Sequence, residues 1–256
     1  MPETASSSRP LILVTGAARG IGKAIAERLA GRGCRLALHA RQNLAAAQAL
    51  AQSLPGGGHR AFGADLALPQ EVALLWDQVT RAMGPVSVVV NNAALYEYHP
   101  ILGTSYAEWE GAWQRTLEAD LLGPVRLSHL AANAMAAAGG GRVVSISSRG
   151  AFRGEPEAPA YAAAKAGLNA MSQSLALALA AQGVYFFVVA PGWVRTDMAA
   201  EHLAGPRGPA ILAQHPLGRV ANPDEVAAAA AFCTLDAPAA MTGSILDVNG
   251  ASYLRT

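Results

Sequence analysis

Leu11-Ile12-Leu13-Val14-Thr15-Gly16-Ala17-Ala18-Arg19-Gly20-Ile21-Gly22 is the stretch that decides the fold. Residues 11–15 form an apolar run of strand length, and a helical stretch follows the glycines to about Gly31. Between a strand and the helix it opens, a glycine motif carries information. Gly16 permits a tight turn, while Gly20 and Gly22 let the backbone approach a pyrophosphate and pack helix on strand. The helix start adds free N–H groups and the positive end of its dipole. Gly16, Ala18, Arg19, Gly20, Ile21 and Gly22 are therefore read as a phosphate-binding loop. The competing reading is an ordinary glycine-rich turn.

Working outward, the same alternation repeats. Strand-like runs at 34–40, 59–63, 86–91, 142–147, 184–190 and 245–248 alternate with helical stretches at 44–54, 70–83 and 158–181. A Ser105-x-x-Glu108 capping box opens a long helix toward Gly139, and Asn222-Pro223-Asp224-Glu225 opens another. Strands separated by such helices imply right-handed crossovers and an α/β fold with a parallel sheet covered on both faces. The expected organisation is a flexible tail over 1–9 and a single domain over 10–256. Six Gly and Pro residues crowd 199–218, which reads as a mobile substrate loop.

The 256 residues are 52% hydrophobic and 14% charged, enough for a sizeable core, and 57 of them are alanine. A net charge of +1 points away from nucleic acid and from a polybasic membrane-surface protein. Cys34 and Cys233 read as buried thiols of a reducing compartment. Met1 to Pro10 shows no apolar leader core, and Gln182 and Gly183 interrupt the most apolar run, so a cytoplasmic protein without membrane spans is expected. No histidine pair has helical metal-ligand spacing, and no metal site is expected.

At the end of the second strand, Ala40-Arg41 offers no carboxylate for a ribose 2′-hydroxyl. Arg41 and Arg19 could instead converge on a 2′-phosphate, which favours NADP(H); the alternative is two solvated arginines. Tyr161 and Lys165 stand one helical turn apart on one face. A phenol is a poor acid–base catalyst at neutral pH, and an adjacent ammonium lowers its pKa. Ser148, ending the preceding strand, could hold a substrate carbonyl at the same point. Of 19 basic residues 17 are arginine, and Lys165 is one of two lysines, at a place where arginine would lose the compact ammonium.

These motifs together resemble the short-chain dehydrogenase/reductase family from about Pro10 to the C-terminus. Residues 15–22 match its cofactor motif, whose first two glycines are separated by three residues; Ser148 lies thirteen residues before Tyr161, and Tyr161 and Lys165 match YxxxK. Asn91-Asn92-Ala93-Ala94 resembles NNAG, with Ala94 where glycine is usual. Pro191-Gly192-Trp193-Val194-Arg195-Thr196 resembles the PG motif flanking the nicotinamide.

The resemblance implies a Rossmann-type doubly wound sheet. It places Asp65 and Leu66 at the adenine, and Asn92, Ala93, Pro191, Gly192, Val194 and Thr196 among the cofactor contacts. Tyr161 would protonate the carbonyl, Lys165 would hold the nicotinamide ribose and depress the Tyr161 pKa, and Ser148 would polarise the carbonyl. The fourth member of the usual set is an asparagine three residues before a glycine; here that position is Asp120, ahead of Gly123, with Glu118 as the alternative carboxylate. The carboxylate should strengthen the interaction with Lys165 and lower the Tyr161 pKa less effectively.

Within that family the C-terminal third is closest to 3-oxoacyl-[acyl-carrier-protein] reductases. The basic residues that dock the carrier protein at the site mouth correspond to Gly139 and Gln182, which lack charge. The preferred reading is therefore an NADPH-dependent carbonyl reductase for a small or hydrophobic ketone or alcohol. The acyl reductase is the first alternative, and a catalytically weak dinucleotide-binding regulatory protein the second. Arg149 and Arg153 are read as contacts for an acidic substrate group or as surface charge, and Trp109 and Trp113 as packing. Residues 175–180 are apolar around the helix, so burial on more than one side is expected. In the family that helix packs against another subunit, which implies a homotetramer or homodimer.

Overall fold

A computed structural model describes residues 9–255. Of the tail expected over 1–9, all but Arg9 lies outside the described residues. Seven strands form one parallel sheet in the order β3-β2-β1-β4-β5-β6-β7. They are β1 (Leu11–Val14), β2 (Arg35–Ala40), β3 (Arg60–Gly63), β4 (Val88–Asn91), β5 (Gly141–Ile146), β6 (Val184–Pro191) and β7 (Ile245–Val248). The order reverses between β1 and β4, and that switch point opens a crevice beyond the strands' carboxyl ends.

The central strands are buried on both faces, which is why they read as unbroken apolar runs. Alternate residues feed opposite cores. Ile12, Val14, Val88 and Val90 face α1 (Gly20–Gly31), α2 (Leu44–Ser53) and α10 (Pro223–Ala231), which bury Ile25, Leu29, Leu50 and Val226. Leu11, Leu13 and Val89 face α3 (Pro69–Met83), α5 (Gly123–Ala137) and α7 (Pro159–Leu179), which bury Leu75, Val79, Leu127 and Ala176. The expected doubly wound sheet is present.

The capping box at Ser105 is formed, with Glu108 closing it, and α4 (Tyr106–Leu117) follows. The long middle helix is not uniformly α-helical. A π-turn over Glu118–Leu122 separates α4 from α5, and such wide turns gather at functional sites. A four-residue turn, α6 (Gly150–Arg153), precedes α7. The segment 199–218 carries most of α8 (Asp197–Ala204) and all of α9 (Gly208–Leu212), and it buries Ala199 and Ile211.

Within one chain, residues 175–180 are covered on one side only. Ala176 is buried, but Leu177 stands 88% exposed, because the sheet covers only one face of α7. Among the described residues no helix is long and apolar enough to cross a membrane, and no group of His, Cys, Asp and Glu could hold a metal ion.

Candidate functional site

The carboxyl ends of β1, β2, β4, β5 and β6 surround a single cleft of about 630 Å³. Its phosphate end is built by close backbone approach. Gly16 and Gly20 adopt left-handed backbone angles, φ 64° and 55°. A Cβ on Gly16 would lie 2.9 Å from the Ala93 Cα, and one on Gly22 would collide with the Gly16 carbonyl oxygen. Side chains are excluded there, so the start of α1 faces the cleft with bare backbone. Ala18, Arg19, Gly20, Ile21 and Gly22 line it, as does Arg41 beyond β2.

Three side chains hold this loop. Thr15 Oγ1 accepts hydrogen bonds from the Asn92 and Ala93 N–H groups, 2.9 and 3.0 Å. Asn92 Nδ2 donates back to the Thr15 and Gly16 carbonyls at 2.8 and 3.2 Å, tying the end of β4 to the glycine turn. Buried His39 accepts the Gly16 N–H at Nδ1, 3.2 Å, so its proton sits on Nε2, which donates to the Ala64 carbonyl at 2.9 Å. Burial pushes the His39 pKa down, in keeping with that neutral ring.

Asp65 and Leu66 line the adenine end of the expected site, and Asp65 Oδ1 also accepts the Ala67 N–H in a local turn. Pro191, Gly192, Val194 and Thr196 line the opposite wall. Ala94, at a position where glycine is usual, does not adopt a left-handed backbone, so its methyl is tolerated.

At the chemical end, Ser148 follows β5, while Tyr161 and Lys165 project from the first turns of α7; all three line the cleft. Ser148 Oγ accepts the Gly150 N–H at 3.0 Å, which leaves its own proton to donate. Lys165 Nζ lies 5.4 Å from the Tyr161 ring centroid and donates to the Ile146 carbonyl at 3.2 Å. Burial raises the Tyr161 pKa, and the Asp120 charge raises it further, against a hydrogen bond from Ser148 that lowers it. The phenol is thus held protonated.

Asp120 stands behind the cleft, fully buried, and is the one expected site residue that does not line it. The π-turn brings its Oδ1 to the Leu95 N–H, 2.7 Å, and its Oδ2 to 3.7 Å from Lys165 Nζ. That second distance is an ion pair too long for a hydrogen bond. Burial drives the Asp120 pKa up to about 6 against the opposing pull of Lys165. Glu118 turns away to Arg126 at 2.7 Å, so Asp120 is the carboxylate at the lysine.

Several residues escaped the sequence reading. His99 accepts the Ala160 N–H at Nε2, 3.2 Å, bracing the first turn of α7 beside Tyr161. Tyr96, Glu155, Trp193 and His202 line the half of the cleft around Ser148 and Tyr161. Of these, only Trp193 lies inside a motif that sequence could flag.

Arg149 is not surface charge. It is buried, and it shares the Gln214 Oε1 with Arg153, at 2.9 and 2.7 Å. Trp109 and Trp113 pack on each other, ring centroids 5.2 Å apart, with Trp113 against His99. Gly139 and Gln182 precede β5 and β6, at the end of the sheet opposite the cleft. They do not flank this chain's own site mouth, which corrects that expectation.

A family model described as enoyl-(acyl carrier protein) reductase matches residues 16–251. The chain is 36% identical to the 3-oxoacyl-[acyl-carrier-protein] reductase FabG of Escherichia coli (strain K12), over 95% of this chain and 97% of that protein. It is 36% identical to D-threitol dehydrogenase of Mycolicibacterium smegmatis, over 93% of this chain and 90% of that protein. It is 37% identical to cis-4-hydroxycyclohexanecarboxylate dehydrogenase of Sinomonas cyclohexanicum, over 93% of this chain and 94% of that protein. Such close values do not rank one relative's substrate above another's.

Proposed function

Because the chain belongs to the short-chain dehydrogenase/reductase family, we propose that it is an NADP(H)-dependent carbonyl reductase interconverting a ketone and a secondary alcohol. The observation that carries this reading is the convergence of Ser148, Tyr161 and Lys165 on one cleft whose other end is a glycine-lined helix start. A binding module of the fold needs the glycines but not these three residues.

The residues present fit a dinucleotide, since side chains are excluded where Gly16 and Gly22 meet neighbouring backbone. The pyrophosphate would lie against the start of α1, and Arg19 and Arg41 would hold a 2′-phosphate through charge-assisted bonds. Asp65 and Leu66 would hold the adenine side. Asn92, Ala93, Pro191, Gly192, Val194 and Thr196 would hold the nicotinamide side, and Tyr161 and Lys165 the ribose between them and Ser148. A bound nicotinamide supplies hydride to the carbonyl carbon or accepts it in reverse.

The chain's own groups handle the oxygen. Ser148, which accepts the Gly150 N–H, donates its own proton toward the carbonyl oxygen and orients it. Tyr161 gives its phenolic proton to the same oxygen. Burial and the Asp120 charge raise its pKa, so the phenol carries its proton at neutral pH. Lys165 places a positive charge beside the ring, and Asp120 holds that ammonium from behind.

A second reading, 3-oxoacyl-[acyl-carrier-protein] reductase, is favoured by the FabG relatives, among them those of Escherichia coli and Vibrio cholerae at 36% and 35% identity. The absence of charge at Gly139 and Gln182 does not count against it within one chain.

Purified protein assayed with NADPH and NADH against simple ketones and a β-keto thioester separates the readings. We expect NADPH to be preferred at least about 10-fold, and Arg41→Ala to cut kcat/KM for NADPH about 10- to 100-fold, the worth of a charge-assisted contact. A preference for NADH contradicts the assignment of Arg19 and Arg41. Turnover confined to the thioester selects the second reading, and tight NADPH binding without any turnover points to a regulatory protein.

A further inference from the structure

The cleft wall beside the reacting groups carries one ionisable side chain that the reductase reading leaves without a task. Glu155, in the loop between α6 and α7, lines the cleft with Ser148 and Tyr161 and is partly buried. Its carboxylate rests against Gly150, where a Cβ would come within 2.7 Å of Oε1, so the glycine two residues after Ser148 is what lets it lie there.

Among the described residues the Glu155 carboxylate takes part in no ion pair or hydrogen bond, and only its backbone carbonyl is engaged, by the Ala158 N–H at 3.1 Å. The neighbouring Glu157 is engaged on both counts, paired with Arg207 and accepting the Tyr98 hydroxyl at 3.3 Å. Burial raises the Glu155 pKa, while the charges of Arg149, Arg153 and Arg207 hold it down. Glu155 is therefore a partly desolvated carboxylate with its acceptor sites unfilled, in a place where hydrogen bonds to charged groups count most.

Aromatic rings complete the wall. Tyr96 meets the Tyr161 ring edge-on at 5.1 Å and His202 at 6.1 Å, and Trp193 lies 5.5 Å from His202. Charge then decides between ligands. Buried Arg149 keeps an Nη1 without a partner among the described residues, so a cationic substrate drawn to Glu155 is opposed by the guanidinium. An anionic substrate drawn to Arg149 is opposed by Glu155. A neutral hydroxyl gains the bond to the carboxylate and meets neither repulsion.

Resting on the reductase reading, we propose that Glu155 is a specificity-determining residue that accepts a hydrogen bond from a hydroxyl near the substrate carbonyl, and that the substrate class is an uncharged hydroxyketone and the diol it forms. The chemical step is unchanged: hydride reaches the carbonyl carbon, the Tyr161 proton reaches its oxygen, and the additional hydroxyl stays intact.

The test compares NADPH-dependent turnover of 1-hydroxybutan-2-one, butan-2-one, 2-oxobutanoate and a quaternary-ammonium methyl ketone. The expected kcat/KM for the hydroxyketone exceeds that for butan-2-one about 10- to 100-fold, mostly through KM, with both charged ketones poorer than the hydroxyketone. Glu155→Gln should shrink that ratio, and Glu155→Ala should bring it near one. The isosteric glutamine variant keeps the comparison readable if the alanine variant melts early.

An equal loss on both neutral ketones means a structural role and overturns the proposal, as does wild-type preference for a charged ketone. Butan-2-one turnover with no preference for the hydroxyl overturns this inference alone. No turnover of any of the four overturns the reductase reading with it.

Discussion

Lys165 and Asp120 are both buried, at 2% and 0% exposure, and face each other across 3.7 Å. A buried carboxylate raised to about 6 by desolvation changes charge near that pH. Above that pH its negative charge raises the Tyr161 pKa; below it, the charge is gone. Oxidation of an alcohol needs the phenolate, so the wild-type alkaline limb should lie higher than it would without that charge. Asp120→Asn should shift the limb of kcat/KM for alcohol oxidation to lower pH and remove an inflection near 6. The measurement is a pH profile from 5 to 11 for both proteins, and superimposable profiles would sink the idea. The family resemblance, through the spacing to Gly123, pointed to Asp120 with Glu118 as the alternative. Its distance to Lys165 was not legible, because it depends on a carboxylate that accepts the Leu95 N–H across the fold.

The strand-turn-helix unit at β1 and α1 was readable from its pattern, since an apolar run of strand length and glycine chemistry are local. What the glycines accommodate was not. A methyl on Gly22 would run into the Gly16 carbonyl and stand 2.5 Å from Asn92 Nδ2, so the loop must move to admit it. Gly22→Ala should lower the melting temperature and weaken NADPH binding at least about 10-fold, the equivalent of about 1.4 kcal/mol; calorimetry and a fluorescence titration check both. Helix α7 shows the same limit. Tyr161 and Lys165 were legible as an i, i+4 pair, but the His99 ring that receives the Ala160 N–H comes from a loop sixty-one residues earlier. The π-turn over Glu118–Leu122 also left no trace, because the apolar pattern runs through it.

Across the whole molecule, the strand order places the switch point between β1 and β4, and the cleft opens there because both halves present their carboxyl ends. The alternation of elements pointed to a parallel sheet covered on both faces, whereas the strand order and the face each helix covers emerged only from packing. Helix α7 illustrates the consequence: its inner side fills the core while Leu177 is left 88% exposed. We expect the chain to associate with copies of itself, as two or four chains, through this face. Leu177→Glu should reduce the assembly mass measured by light scattering, and an unchanged mass would place the contact elsewhere. The central claim is that Tyr161 moves the proton in a site assembled by that topology, and removing a single oxygen tests it most directly. Tyr161→Phe should keep NADPH binding within a few-fold of wild type while kcat for ketone reduction falls at least about 100-fold. A phenylalanine variant that still turns over at a comparable rate would contradict the account.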